Sequence, residues 1–136
     1  MIEFFIPVTP LAVPRPRFAV IRGHAVAYPT AAYKFYQSEL ATFFSTLTPE
    51  EPIEVHDGPV DLTLRFVMPR PKTRSIIIRG WMKPDIDNVV KGIMDAMTKA
   101  AYFWLDDAQV VKLLTEKRFA SSDDEVLGTH VQVRNL

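Results

Sequence analysis

Eleven prolines, all within the first 84 residues, decide where this chain can be regular. Proline fixes φ and lacks an amide N–H, so helix interiors and central strands exclude it. Pro7, Pro10, Pro14 and Pro16 forbid a helix near the start and close a first strand read over Ile2 to Val8. Arg17 to Arg22 and His24 to Tyr28 are short extended runs about Gly23, a predicted hairpin whose turn carries Arg22 and His24. After Pro29, Thr30 is a suitable helix cap. Ala32, Phe35, Tyr36, Leu40, Phe43, Phe44 and Leu47 then recur at helical spacing, and this first helix must stop before Pro49. Thr48 to Pro59, with three prolines and four acids, reads as an exposed connection.

Val60 to Met68 alternates apolar and polar positions with period two, a strand with one buried face, and Pro69 and Pro71 end it. Arg70 to Lys83 reads as a mobile loop with at most a short extended piece about Ile76 to Ile78. An exposed Trp81 within it would be unusual without a partner. Pro84 bars anything earlier, so a second helix opens at Asp85, runs to about Ala101, and buries Ile86, Val89, Val90, Ile93, Met94 and Met97. Val110 to Ala120 and Glu125 to Val133 complete the chain as two strands. The order is strands, helix, strand, helix, two strands. It predicts a mixed α/β domain of the α+β class, with two helices packed on a small sheet and one domain over residues 1–136.

An apolar fraction of 48% supports a sizeable core. No run of about 18 apolar residues exists and the start lacks a signal-peptide pattern, so a soluble, cytoplasmic protein without a membrane partner is expected. There is no cysteine, which excludes disulfides and thiolate metal sites and leaves oxygen or imidazole ligands, the chemistry of hard cations. Net charge is zero, against a protein that coats nucleic acid by bulk charge. The charges are segregated, however. Between Glu3 and Glu39 there is no acid, yet Arg15, Arg17, Arg22, His24 and Lys34 fall there. From Leu62 to Pro84 there is again none, and Arg65, Arg70, Lys72, Arg74, Arg79 and Lys83 fall there, directly ahead of a cluster of aspartates. Two such segments point to a polyanion-facing surface, with Arg15, Arg17, Arg22, Arg70, Lys72, Arg74, Arg79 and Lys83 as its candidate contacts.

Asp85 and Asp87 flank the start of the second helix, and Asp106-Asp107 follows it after Tyr102-Phe103-Trp104-Leu105. Carboxylates without histidine or cysteine suit Mg²⁺ or Mn²⁺, and acidic ligands beside a basic surface suit phosphodiester hydrolysis. Lys91 lies four residues after Asp87, on the same helical face, where an ammonium can stabilise a pentacovalent transition state or orient water. Geometry resists a simple site. A helix of about 16 residues spans roughly 24 Å, more than the segment from Ala101 to Leu105 can retrace. Either the helix is shorter, or Asp106-Asp107 meets Asp85-Asp87 of a second subunit. The structural alternative makes Asp85 a cap, Asp87 a first-turn charge, Lys91 a partner of Asp87 and Asp95, and Asp106-Asp107 a turn. His24, His56 and His130 form no ligand spacing, and Phe103 and Trp104 read as core.

Lys83-Pro84-Asp85-Ile86-Asp87-Asn88-Val89-Val90-Lys91, then Asp95-Ala96, then Trp104-Leu105-Asp106-Asp107-Ala108-Gln109-Val110, resemble the signature of the RusA family of Holliday junction resolvases. The similarity is close from Lys83 to Lys117 and looser over Pro14-Arg15-Pro16-Arg17 and Tyr28-Pro29, which are similar to phage and prophage members. The resemblance implies a homodimer that binds four-way DNA junctions and makes paired symmetric nicks with Mg²⁺. It makes Asp85, Asp87 and Asp107 the essential aspartates, Lys91 the catalytic lysine, Asp106 the neighbouring acid and Asn88 a supporting residue. The stretch Ala100 to Trp104 is one residue longer than the family pattern, which leaves the division of roles between Asp106 and Asp107 open. A less selective nuclease for branched DNA and a junction-binding protein that does not cut are the alternatives.

Overall fold

In a computed structural model, residues 1–14, 17–28, 30–47 and 55–136 are described. The elements are β1 (Ile2–Ile6), β2 (Arg17–Ile21), β3 (His24–Tyr28), α1 (Ala31–Leu47), β4 (Val60–Met68), α2 (Arg74–Arg79), α3 (Ile86–Ala100), a 3₁₀ turn (Asp107–Gln109), β5 (Val110–Phe119) and β6 (Gly128–Asn135). The mixed α+β architecture is the one expected. A four-stranded sheet has the order β1-β6-β4-β5, with β4 and β5 parallel and the other neighbours antiparallel. Parallel neighbours need a crossover. α3 lies within it, so both ends of that helix are tied to the ends of β4 and β5.

The period-two pattern of β4 does what it predicts. Val60, Leu62, Leu64 and Phe66 are buried against α1 and α3, while Asp61 and Arg65 take the other face, where Asp61 meets Arg134 and Lys112 and Arg65 meets Glu116. Tyr36, Leu40 and Phe44 of α1 and Val89, Ile93 and Met97 of α3 fill the interhelical space. Phe103 and Trp104 are core, and the indole N–H of Trp104 donates to Thr98 Oγ1 at 2.8 Å, pairing its polar atom inside. α1 starts as expected, with the Tyr33 amide donating to Thr30 Oγ1. The β2–β3 hairpin turns through Arg22 and Gly23, both at positive φ, which glycine adopts without penalty.

Two expectations need correcting. The segment after β4 is not only loop: Arg74–Arg79 is a short helix, closed by Gly80 in the left-handed conformation with its amide bonded to Ile76 O. The run Ile76-Ile77-Ile78 is helical, because Gly80 supplies a helix stop that a β-branched run alone does not announce. The last strand lies later than drawn, at Gly128–Asn135. Any Cβ at residue 128 would fall 2.1 Å from Ile6 O, so glycine is what lets β6 lie beside β1. The Thr48 to Pro59 connection falls partly, and the Pro14 to Arg17 and Tyr28-Pro29 similarities also partly, outside the described residues.

Candidate active site

Asp85 occupies the N-cap position of α3 by backbone geometry, but its side chain makes no capping hydrogen bond. It accepts from Lys83 Nζ at 2.6 Å instead. That ammonium, with a smaller contribution from Lys117, holds the Asp85 carboxyl below its ordinary range, so it is ionised at neutral pH. Asp87 lies in the first turn, exposed, its Oδ1 accepting from the Asn88 amide at 3.0 Å. Lys91, one turn on, is exposed and 3.6 Å from Asp95. Asp85, Asp87 and Lys91 therefore stand in solvent at the N-terminal end of α3, where the helix macrodipole favours anions.

The second acidic pair is built differently. Asp106 caps the 3₁₀ turn: its Oδ1 accepts from the Ala108 amide at 2.8 Å. Gln109 answers reciprocally, its Oε1 accepting from the amides of Leu105 at 2.8 Å and Asp106 at 3.0 Å. The Gln109 Nε2 donates to the carbonyls of His56 and Gly58, both at 2.9 Å. One amide side chain thus uses both ends to fasten the acidic turn to the segment that enters β4. Asp106 spends a carboxylate oxygen inside the turn, whereas Asp107 is exposed beside it.

The two pairs lie apart within one chain. α3 runs for 15 residues, roughly 22 Å. Trp104 docks beside Thr98 in the last turns of the helix, and the chain then enters β5 at Val110. β5 runs back toward the start of α3, where Lys117 Nζ donates to the carbonyls of Met82 and Pro84. Val110 and Lys117 are separated by about 23 Å of strand, with Asp106-Asp107 before the first and Asp85-Asp87 beside the second. Among the described residues, no three Asp, Glu or His side chains of this chain group closely enough to hold a metal ion. The donor chemistry fits a hard cation, all oxygen and without sulfur, yet each place holds only two of the four carboxylates.

The basic candidates fall in two places. Arg22 is exposed in the hairpin turn; Arg15 lies outside the described residues, and Arg17 is on β2. Arg70, Lys72, Arg74, Arg79 and Lys83 are all exposed between β4 and α3. Arg70 donates to the carbonyls of Ala120 and Ser121, anchoring the base of this segment. Arg79 lies over the Trp81 ring, 4.1 Å from guanidinium carbon to centroid, so Trp81 has the partner its exposure called for. His24 and His130 are exposed, and His56 lies against Pro59 O.

Two residues that brace these segments escaped sequence reasoning, Gln109 and Lys117. Gln109 had a legible signal, since an acid followed three residues later by glutamine is a capping-box spacing. Lys117 falls in register with Thr115 and Phe119, the partly covered face of β5. A lysine at such a position implies a set of acceptors.

A family model described as endodeoxyribonuclease RusA matches residues 7–134. The chain is also similar to the uncharacterized protein YqaN of Bacillus subtilis (strain 168), 32% identical over 130 residues that cover 88% of each chain. Among the described residues, no helix is long and apolar enough to cross a membrane.

Proposed function

This chain belongs to the RusA endodeoxyribonuclease family, and on that premise we propose that it is a Mg²⁺-dependent nuclease that resolves four-way DNA junctions by paired symmetric nicks. It works as a homodimer of single-domain protomers, each of residues 1–136. The observation that carries this reading is the placement of two exposed carboxylate sets at opposite ends of one strand, β5, that is also the edge of the sheet. Val111, Leu113 and Leu114 of β5 are 64%, 44% and 48% exposed. An edge strand that exposes apolar side chains over its first half is a template for pairing with another chain. If β5 of a second copy lies antiparallel to it about a twofold axis, the Val110 end of one strand meets the Lys117 end of the other. Asp107 of one protomer then comes to Asp85 and Asp87 of its partner, twice per dimer, and two equivalent sites are what paired nicks require.

In each site Asp85, Asp87 and Asp107 would hold the cation, with Asp106 keeping the acidic turn in shape and lending its second oxygen. Bound Mg²⁺ supplies Lewis acidity that acidifies an attacking water and offsets charge on the leaving oxygen. Lys91 presents a cation to the phosphoryl oxygens, and Asn88 and Lys117 keep the start of α3 in place. Arg22 and the cations from Arg70 to Lys83, with Arg15 and Arg17, contact phosphates and orient the branch point without reading sequence. The test is cleavage of a synthetic four-way junction beside linear duplex, with and without Mg²⁺, by the parent and by Asp87→Asn. Paired nicks near the branch that need both the metal and Asp87 support the reading; undiminished cutting by Asp87→Asn refutes it.

A further inference from the structure

Trp81 is 60% exposed, and Arg79 both covers its ring at 4.1 Å and donates from Nε to its carbonyl at 2.8 Å. A cation stacked on one face of an exposed indole modestly favours one ring orientation. Trp81 lines a mainly apolar pocket of about 510 Å³, together with Met68, Pro69, Met82, Pro84 and Phe119. The pocket does not stand apart from the acids. Met82 and Pro84, which line it, are the residues whose carbonyls Lys117 holds, and Pro84 adjoins Asp85. Lys83 also borders it, and the preceding acid-free stretch supplies Arg70, Lys72, Arg74 and Arg79.

An apolar slot with an aromatic wall inside a cationic surface matches one chemistry closely: a flat base for the slot and its phosphate for the rim. Paired, stacked bases of linear duplex cannot enter. A base beside a branch point has lost a stacking neighbour and leaves the helix at lower cost.

We propose that this pocket receives one unpaired nucleobase from the branch point, stacked on Trp81, with its phosphate toward Lys83. The proposal rests on the reading of the chain as a branched-DNA enzyme and gives that enzyme a way to discriminate branch from duplex.

The experiment measures binding without cutting, by anisotropy of a labelled four-way junction in EDTA, with single abasic sites placed in turn at each nucleotide flanking the branch. The parent is expected to bind about tenfold more weakly when one particular position is abasic. Trp81→Ala should bind the intact junction about tenfold more weakly and be indifferent to that abasic site, with Trp81→Phe close to the parent. Equal binding at every abasic position by the parent, or an undiminished abasic penalty in Trp81→Ala, overturns the proposal. So does a change of oligomeric state in Trp81→Ala by sedimentation, which would make the pocket a protein contact. Junction cleavage without any abasic effect sinks the pocket alone, whereas the abasic effect without cleavage sinks only the nuclease reading.

Discussion

Replacing Gln109 by alanine removes four hydrogen bonds at once while leaving every carboxylate in place. The amides of Leu105 and Asp106 lose their acceptor and the carbonyls of His56 and Gly58 their donor. Each such bond contributes about 1 kcal/mol net, and less where water can take the vacated place. Leu105 and Asp106 are exposed and become rehydrated, while His56 and Gly58 are half-buried. The expected cost is therefore about 2–3 kcal/mol, below the full sum of four. In urea the midpoint should fall with an unchanged slope, because the same surface is exposed on unfolding. For a domain of this size the melting temperature should drop by roughly 7–10 °C. Nicking at a temperature where the variant is fully folded should fall further than junction binding, since the acidic turn is no longer held. A stability loss under about 0.5 kcal/mol, or parental nicking by the folded variant, would refute the tethering argument.

Lys117→Met should cost about 1–3 kcal/mol, because the Met82 and Pro84 carbonyls lose a charged donor; kcat should fall more than KM rises, as Lys117 orders the approach to Asp85 rather than binding DNA. Glu125 is held down to about 2 by its hydrogen bonds from Arg118 and then from the Ser121 amide. A depressed carboxyl contributes stability above its unfolded value of 4.5, and that contribution is lost as pH falls toward about 2. A carboxyl titration by NMR should place Glu125 near that value, and Arg118→Gln should bring it back toward 4.5; a Glu125 midpoint near 4.5 in the parent would contradict the ion pair. Gly128→Ala forces β6 away from Ile6 O and should destabilise by about 1–3 kcal/mol in the same urea assay.

Much of this fold was legible because its punctuation is local. The prolines end β4 and precede α3, the alternation of β4 marks its buried face, and Thr30 caps α1 as its side chain suggests. α2 was missed because six residues hold too few turns to show a period, and its stop signal, Gly80, is one residue. The site was legible in part. Asp85, Asp87, Asp106 and Asp107 stood out by type and spacing, and so did the mismatch between the helix length and the short return segment. The unequal duties of Asp106 and Asp107 were not legible, since they depend on which amide each carboxylate faces. Nor was Lys117, whose role follows from contacts with carbonyls 35 and 33 residues earlier in the chain, a tertiary relation that no local pattern encodes.

The most direct test of a site shared between two chains is complementation of two inactive variants. Asp87→Asn and Asp107→Asn are mixed, subunit exchange is confirmed by mass, and nicking of a four-way junction is followed with Mg²⁺. In a dimer with shared sites, a mixed pair places both lesions in one site and leaves the other intact. Nicking should return to about a quarter of the parental rate, one strand at a time, since half of freely exchanged dimers carry one whole site. A mixture that exchanges subunits and stays inactive would contradict the account, because it would mean that each protomer needs both acidic pairs of its own.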